Sequence, residues 1–180
     1  ESAETTLGEA RLRVPPAYAR FPIGRAGGVQ DRLELAATFP AFAPVAAPQA
    51  GKDAPGPLGA VFITLTPRDR SVDPAERPVA LYGRFLEEDA WSDPTGLIMR
   101  RFQPGSPYEF EDLYIAPPEG RVFSARCTRP RQPADGLGET CLTALRIGGI
   151  DAQLRYPPAL LAHWEILAAR ARALIESMMR

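Results

Sequence analysis

What this chain has least of is lysine and histidine: Lys52 is the only lysine beside 20 arginines, and His163 is the only histidine. One imidazole leaves a single side chain of that type to serve as a base, and no G-x-S-x-G elbow presents a serine to it. The signatures of a P-loop, a dinucleotide fold, an H-E-x-x-H zinc site and a C-x-x-C redox pair are absent as well. Apolar runs fall well short of the ~20 residues that span a bilayer. The formal net charge is −1, so no overall field draws the chain to DNA or to an acidic membrane. The arginines are scattered through every segment, which reads as the codon usage of a GC-rich genome and not as a clustered phosphate-binding surface. Nucleic acid is therefore not an expected partner, no cofactor is expected, and no catalytic or metal-ligating set can be named.

What is present describes a globular domain. The chain has 180 residues, 45% of them apolar and 24% charged, enough for one domain with a sizeable core. Proline is abundant at 20 residues, falling in short clusters such as Pro15-Pro16, Pro117-Pro118 and Pro157-Pro158 that punctuate elements. Residues 1–10 are expected to be a flexible N-terminal tether, and 11–180 a single globular domain. The start at Glu1, without methionine, is compatible with a removed signal peptide or N-terminal anchor. Contact with a membrane is expected only through such an anchor.

The two cysteines carry a compartment signal. Cys127 and Cys141 flank TRPRQPADGLGET, a loop by composition, and close the strand-like segments RVFSARC and CLTALRI. They face each other at the ends of an antiparallel pair, and a disulfide is expected, which implies an oxidising, extracytoplasmic location. The strand after CLTALRI is IDAQLRYP. Folding the two about Gly148-Gly149 sets Ile147 opposite Ile150, Leu145 opposite Ala152, Thr143 opposite Leu154 and Cys141 opposite Tyr156. Arg146 then meets Asp151 and Leu142 meets Arg155 on the other side. The alternation on both faces argues for a hairpin and against a phosphate-binding loop.

Further strands are expected at LRV (12–14), DRLELAATF (31–39), VFITLT (61–66), GLIMRRF (96–102) and DLYIA (112–116). FPIGRAGGVQ is a glycine-rich connector, and the proline-rich 40–59 a long loop. A middle helix is expected from about Pro78, with Val79, Tyr82, Phe85 and Leu86 on one face. A long terminal helix follows Pro157-Pro158, with Leu160, Trp164, Leu167, Ala171, Leu174, Ile175 and Met178 in one stripe and His163 beside it. The fold class is α+β: a mainly antiparallel sheet of about six to seven strands with both helices packed on it. This order, with a strand meander and a final helix bearing Trp164, resembles the small sandwich fold of the Mog1/PsbP group. The resemblance is one of element order and implies a fold, not an activity.

Candidate function concentrates between residues 82 and 114. Tyr82, Trp91, Tyr108, Phe110 and Tyr114 interleave there with Glu111 and Asp112, a composition that suits a groove for a partner segment or a small ligand. The acidic run Glu87-Glu88-Asp89 lacks the spacing of a calcium loop. The expected function is a non-enzymatic binding or interaction domain of a bacterial, extracytoplasmic protein, its partner a protein or small ligand at the cell envelope. The alternative is a carboxylate-based hydrolase or divalent-metal module in the same segment.

Overall fold

A computed structural model describes residues 2–45, 59–130 and 139–179. Strands β1 (Ala3–Leu7), β2 (Ala10–Val14) and β3 (Gly28–Val29) form a small sheet in the order β2-β1-β3. An eight-stranded sheet follows, made of β4 (Leu33–Thr38), β5 (Ala60–Pro67), β6 (Leu86–Ser92), β7 (Ile98–Phe102), β8 (Glu111–Ile115), β9 (Ser124–Thr128), β10 (Cys141–Ile147) and β11 (Ile150–Tyr156). Its order is β4-β5-β11-β10-β9-β8-β7-β6, and every neighbouring pair is antiparallel. After β5 the chain crosses to the far edge, then meanders back strand by strand until β11 lies beside β5. Helix α1 (Trp164–Met178) ends the fold.

The strands form because apolar residues alternate along them. Leu33, Leu35 and Ala37 of β4, Val61, Ile63 and Leu65 of β5, and Ile150, Ala152, Leu154 and Tyr156 of β11 are all buried. Period-2 alternation sends them to one face, where Leu167, Ala171, Ile175 and Met178 of α1 join the same core. Polar residues point the other way. The hairpin of β10 and β11 adopts the expected register at each pair, from Cys141 opposite Tyr156 to Ile147 opposite Ile150. Of its two turn glycines only Gly148 takes positive φ, at 56°, as the first position of a type II′ turn does. Arg146 donates from Nε to Oδ1 of Asp151 at 2.7 Å. Cys127 and Cys141 are register partners and are joined as the expected disulfide.

Three expectations are corrected. Residues 1–10 are no tether: Ala3–Leu7 is a strand paired along its length with β2, with Thr5 and Leu7 fully buried. The acidic start disguised a hairpin turned at Gly8, whose inward residues are Leu7, Leu12 and Val14. The glycine-rich connector completes that sheet, for a Cβ at Gly27 would lie 2.8 Å from the carbonyl oxygen of Glu4, and only glycine lets the chain pass so close.

The second correction is one of length: the middle helix is a short helical segment. Residues Pro78–Tyr82 make one wide turn and Gly83–Phe85 a 3-10 turn, after which Leu86 begins a strand. Pro78 and Gly83 deprive a helix of its continuity, and pairing with β7 supplies backbone partners that a short isolated helix could not match. Glu87, Glu88 and Asp89 thus sit on an outer edge strand, where charge discourages pairing with another chain. The strand count is the third, raised by β1, β3 and β6. The terminal helix is present, but Pro158–His163 winds as 3-10 and the α-helix starts at Trp164. His163 is exposed there, its ring 5.8 Å from that of Phe39. Among the described residues no helix is long and apolar enough to cross a membrane. Most of the 40–59 loop lies outside them.

One buried polar contact makes the core sensitive to alkali. The Tyr156 hydroxyl lies 2.6 Å from Oγ1 of Thr143, which itself donates to the carbonyl oxygen of Ser124. The phenol therefore donates to the threonine. Burial raises its pKa well above the ordinary 10.0, so above that pH the unfolded chain gives up a proton that the folded chain keeps. Stability from this group is complete below about pH 10 and declines as pH rises further. Tyr156→Phe is expected to cost about 1 kcal/mol at neutral pH and to flatten the alkaline limb of a plot of unfolding free energy against pH. An equally steep limb in the variant would assign the effect elsewhere, Tyr82 and Tyr114 being the next groups raised by burial.

Candidate functional site

The segment singled out in the sequence is divided by the sheet it belongs to. Successive residues of a strand project to opposite faces, so Glu111 and Asp112 part company at once. Glu111 accepts from Nη1 of Arg126 at 3.0 Å on the face crossed by the β5–β6 connection. Asp112 accepts from Nε of Arg129 at 2.8 Å on the helix side. With each acid already held by an arginine and the two on opposite faces of the sheet, they do not flank a common cleft as a hydrolase pair would. Among the described residues no group of three or more His, Cys, Asp or Glu is placed to hold a metal ion.

The aromatics divide similarly. Tyr82 and Tyr108 meet edge to face, 5.3 Å between centroids, and pack with Phe85 and Phe102 above β7 and β8. This is a second core, with Leu86, Leu113 and Ile115 buried in it. The Arg126 guanidinium lies 4.7 Å from the Tyr108 ring centroid. Burial pushes the Tyr82 phenol up. On the opposite face Tyr114 packs against the main core and Trp91 is 41% exposed, with Arg101 over its ring. Phe110 stands in the turn before β8, 59% exposed. Tyr82, Tyr108 and Glu111 are thus brought together around Arg126, whereas Trp91, Asp112 and Tyr114 lie across the sheet from them.

A different feature emerges on the face away from α1. A single cross-strand row runs through Ala36, Phe62, Arg155, Leu142, Arg126, Leu113, Arg100 and Ala90, one residue from each of the eight strands. At one end the crossing segment covers it, and Leu113 is fully buried. From Leu142 to Phe62 the row is open, Phe62 half-buried and Arg155 exposed, and Ala36 at its outer end is buried again. The next row continues the open face with Glu34, Thr64, Gln153 and Ala144, Oγ1 of Thr64 donating to Glu34 at 2.8 Å. Adjoining depressions share Arg32, Thr64, Leu142 and Gln153, one of them about 360 Å³. At its inner end the groove is bordered by Tyr82 and Arg126. The loop before β4 forms the outer wall, with Arg20 and the exposed Phe21, Ile23 and Val29.

Sequence reasoning passed over this face because its residues come from segments far apart along the chain. One signal was available: in AVFITLT the inward residues are Val61, Ile63 and Leu65, and Phe62 is an aromatic out of place among the outward threonines.

No protein-family model and no curated protein sequence matches this chain. Two solved structures share its fold. One is an immunity protein of the Stenotrophomonas maltophilia type IV secretion system, 16% identical, with a TM-score of 0.65 over 98% of this chain and 92% of that one. The other is the Neisseria meningitidis iron-regulated outer membrane lipoprotein FrpD, 12% identical, with a TM-score of 0.53 over 99% of this chain and 92% of that one. The class they define is an α+β fold spanning essentially the whole chain.

Proposed function

We propose that this chain is a non-enzymatic protein-interaction domain of the bacterial envelope, acting outside the cytoplasm, and that its open sheet face meets the partner. The observation that carries the reading is that face itself. Below, β4, β5, β10 and β11 are sealed by the main core that α1 and the small sheet share, while above them the half-buried Phe62 and Leu142 and the exposed Arg155 lie between walls bearing Phe21 and Tyr82. Aromatic and arginine side chains of this kind anchor protein interfaces. The disulfide supports an oxidising compartment. The two neighbours, an immunity protein of a secretion system and an outer membrane lipoprotein, support a role at the envelope. Of the residues chosen in the sequence, Tyr82 borders the groove directly, and Tyr108 and Glu111 brace it through Arg126.

Fractionation of the host bacterium, with free thiols alkylated before lysis, tests the location. The protein is expected outside the cytoplasm, with neither cysteine alkylated until a reductant is added. Recovery from the cytosol with both thiols alkylated sinks this reading. A photo-crosslinking residue at Gln153, exposed on the open face, is expected to give discrete protein adducts, and one at Arg13 of β2 is not. The absence of adducts from Gln153 removes the binding role.

A further inference from the structure

Two guanidinium groups of the open face converge on one phenyl ring. Cζ of Arg20 lies 4.2 Å from the Phe62 centroid and Cζ of Arg155 lies 5.2 Å from it. Both are held from the backbone. The amide of Arg20 donates to the carbonyl oxygen of Glu34 at 2.9 Å, and Arg155 is the register partner of Phe62. Elsewhere on this face Arg126 is paired with Glu111, Arg146 with Asp151 and Arg32 with Glu34, while Arg100 and Arg77 donate to the backbone carbonyl oxygens of Glu87 and Val72. Among the described residues, neither Arg20 nor Arg155 has a carboxylate within ion-pair distance. Two like charges beside one apolar ring raise each other's energy, and an anion brought next to either relieves it.

We infer that Arg20, Phe62 and Arg155 form a subsite for a carboxylate side chain, delivered by an acidic segment of a protein partner. The inference rests on the protein-binding reading above and supplies the chemistry of the partner. A carboxylate accepts from a guanidinium fork in charge-assisted bonds beside the phenyl ring, and the second arginine adds the attraction of its charge. Phe21 stands beside Arg20, which also lies over its ring at 5.2 Å. Beyond it Ile23 and Val29 line an apolar depression of about 400 Å³. A phosphate or a lipid headgroup would leave that wall uncovered, whereas a peptide with an apolar residue next to its acid covers both. The overall charge of −1 likewise supplies no general attraction to an anionic surface, so the recognition is local.

The test uses the full chain and a short fluorescein-labelled peptide alternating glutamate and phenylalanine, together with its glutamine twin, followed by fluorescence anisotropy. The glutamate peptide is expected to bind at least about tenfold more tightly than the twin. The double variant Arg20→Gln, Arg155→Gln is expected to lose about tenfold in affinity for the glutamate peptide and nothing for the twin. Arg13→Gln is expected to change neither. Melting temperatures of all variants should match the parent, since these side chains are exposed. Equal binding of the two peptides overturns the subsite, and so does a double variant that binds as the parent does. Binding of phosphatidylglycerol vesicles or inorganic phosphate that depends on both arginines, with no binding of the peptide, overturns it in favour of a phosphate ligand. If the peptide fails while crosslinks from Gln153 persist, the partner docks by other chemistry and only the carboxylate subsite falls. If the crosslinks are absent too, the binding reading itself falls.

Discussion

Replacing Phe102 by alanine is expected to destabilise this protein by about 3–5 kcal/mol, the usual cost of emptying a buried aromatic site. Phe102 is fully buried, with the Tyr108 ring at 4.9 Å and the Tyr82 ring at 5.8 Å. Its carbonyl oxygen accepts from Nη2 of Arg129, so the residue joins the second core to the start of the loop after β9. This core is small, and its few members have little freedom to close over a cavity. Phe110→Ala, at a side chain mostly in solvent, is expected to shift stability by no more than about 0.5 kcal/mol. Urea unfolding of both variants checks the pair. A loss below about 1 kcal/mol for Phe102→Ala contradicts the packing described, and a large loss for Phe110→Ala moves that residue from the surface into the core.

Removing the disulfide by the double change Cys127→Ala, Cys141→Ala is expected to cost about 3 kcal/mol, as a crosslink closing a loop of this length restricts the unfolded chain. The site makes the effect consequential. The β9–β10 ladder has only two register pairs, Cys141 with Cys127 and Leu142 with Arg126, while its neighbours β10–β11 and β8–β9 have seven and five. The covalent bond therefore reinforces the thinnest ladder inside the large sheet. Adding a reductant to the parent protein should lower the urea midpoint to that of the double variant. Identical midpoints with and without the bond would show that the short ladder holds unaided.

The sequence was most legible where a local rule had no competitor. The β10–β11 hairpin, read from Gly148 and its flanking alternation, holds its register pair by pair, and the stripe from Leu167 to Met178 marks α1. It was least legible where tertiary partners overrode a local pattern. Val79, Tyr82, Phe85 and Leu86 have helical spacing, yet Leu86 is taken by the edge of a sheet whose other strand lies beyond a turn. Residues 3–7 look polar and free, yet Thr5 and Leu7 are sealed by strands whose presence a window of that size cannot reveal. The candidate site illustrates the same limit. Aromatic and acidic residues crowd together in SPYEFEDLY, but a strand distributes neighbours to opposite faces, so closeness in sequence became separation by a sheet. The groove instead gathers Arg20, Phe62, Leu142 and Arg155, which no single stretch of sequence contains.

The return of the meander to β5 has a bearing on how the molecule is completed. Every other pairing in the large sheet joins strands that follow one another along the chain, whereas β5 must wait for β11 to be made and brought back to it. Closing so long a loop is entropically slow, so this seam sets the pace at which the two halves become one. Phe62 belongs to β5 and Arg155 to β11, on either side of the seam. The shared ring and its guanidinium exist as a pair only after the last join, and a chain that stalls before it has no such surface to offer.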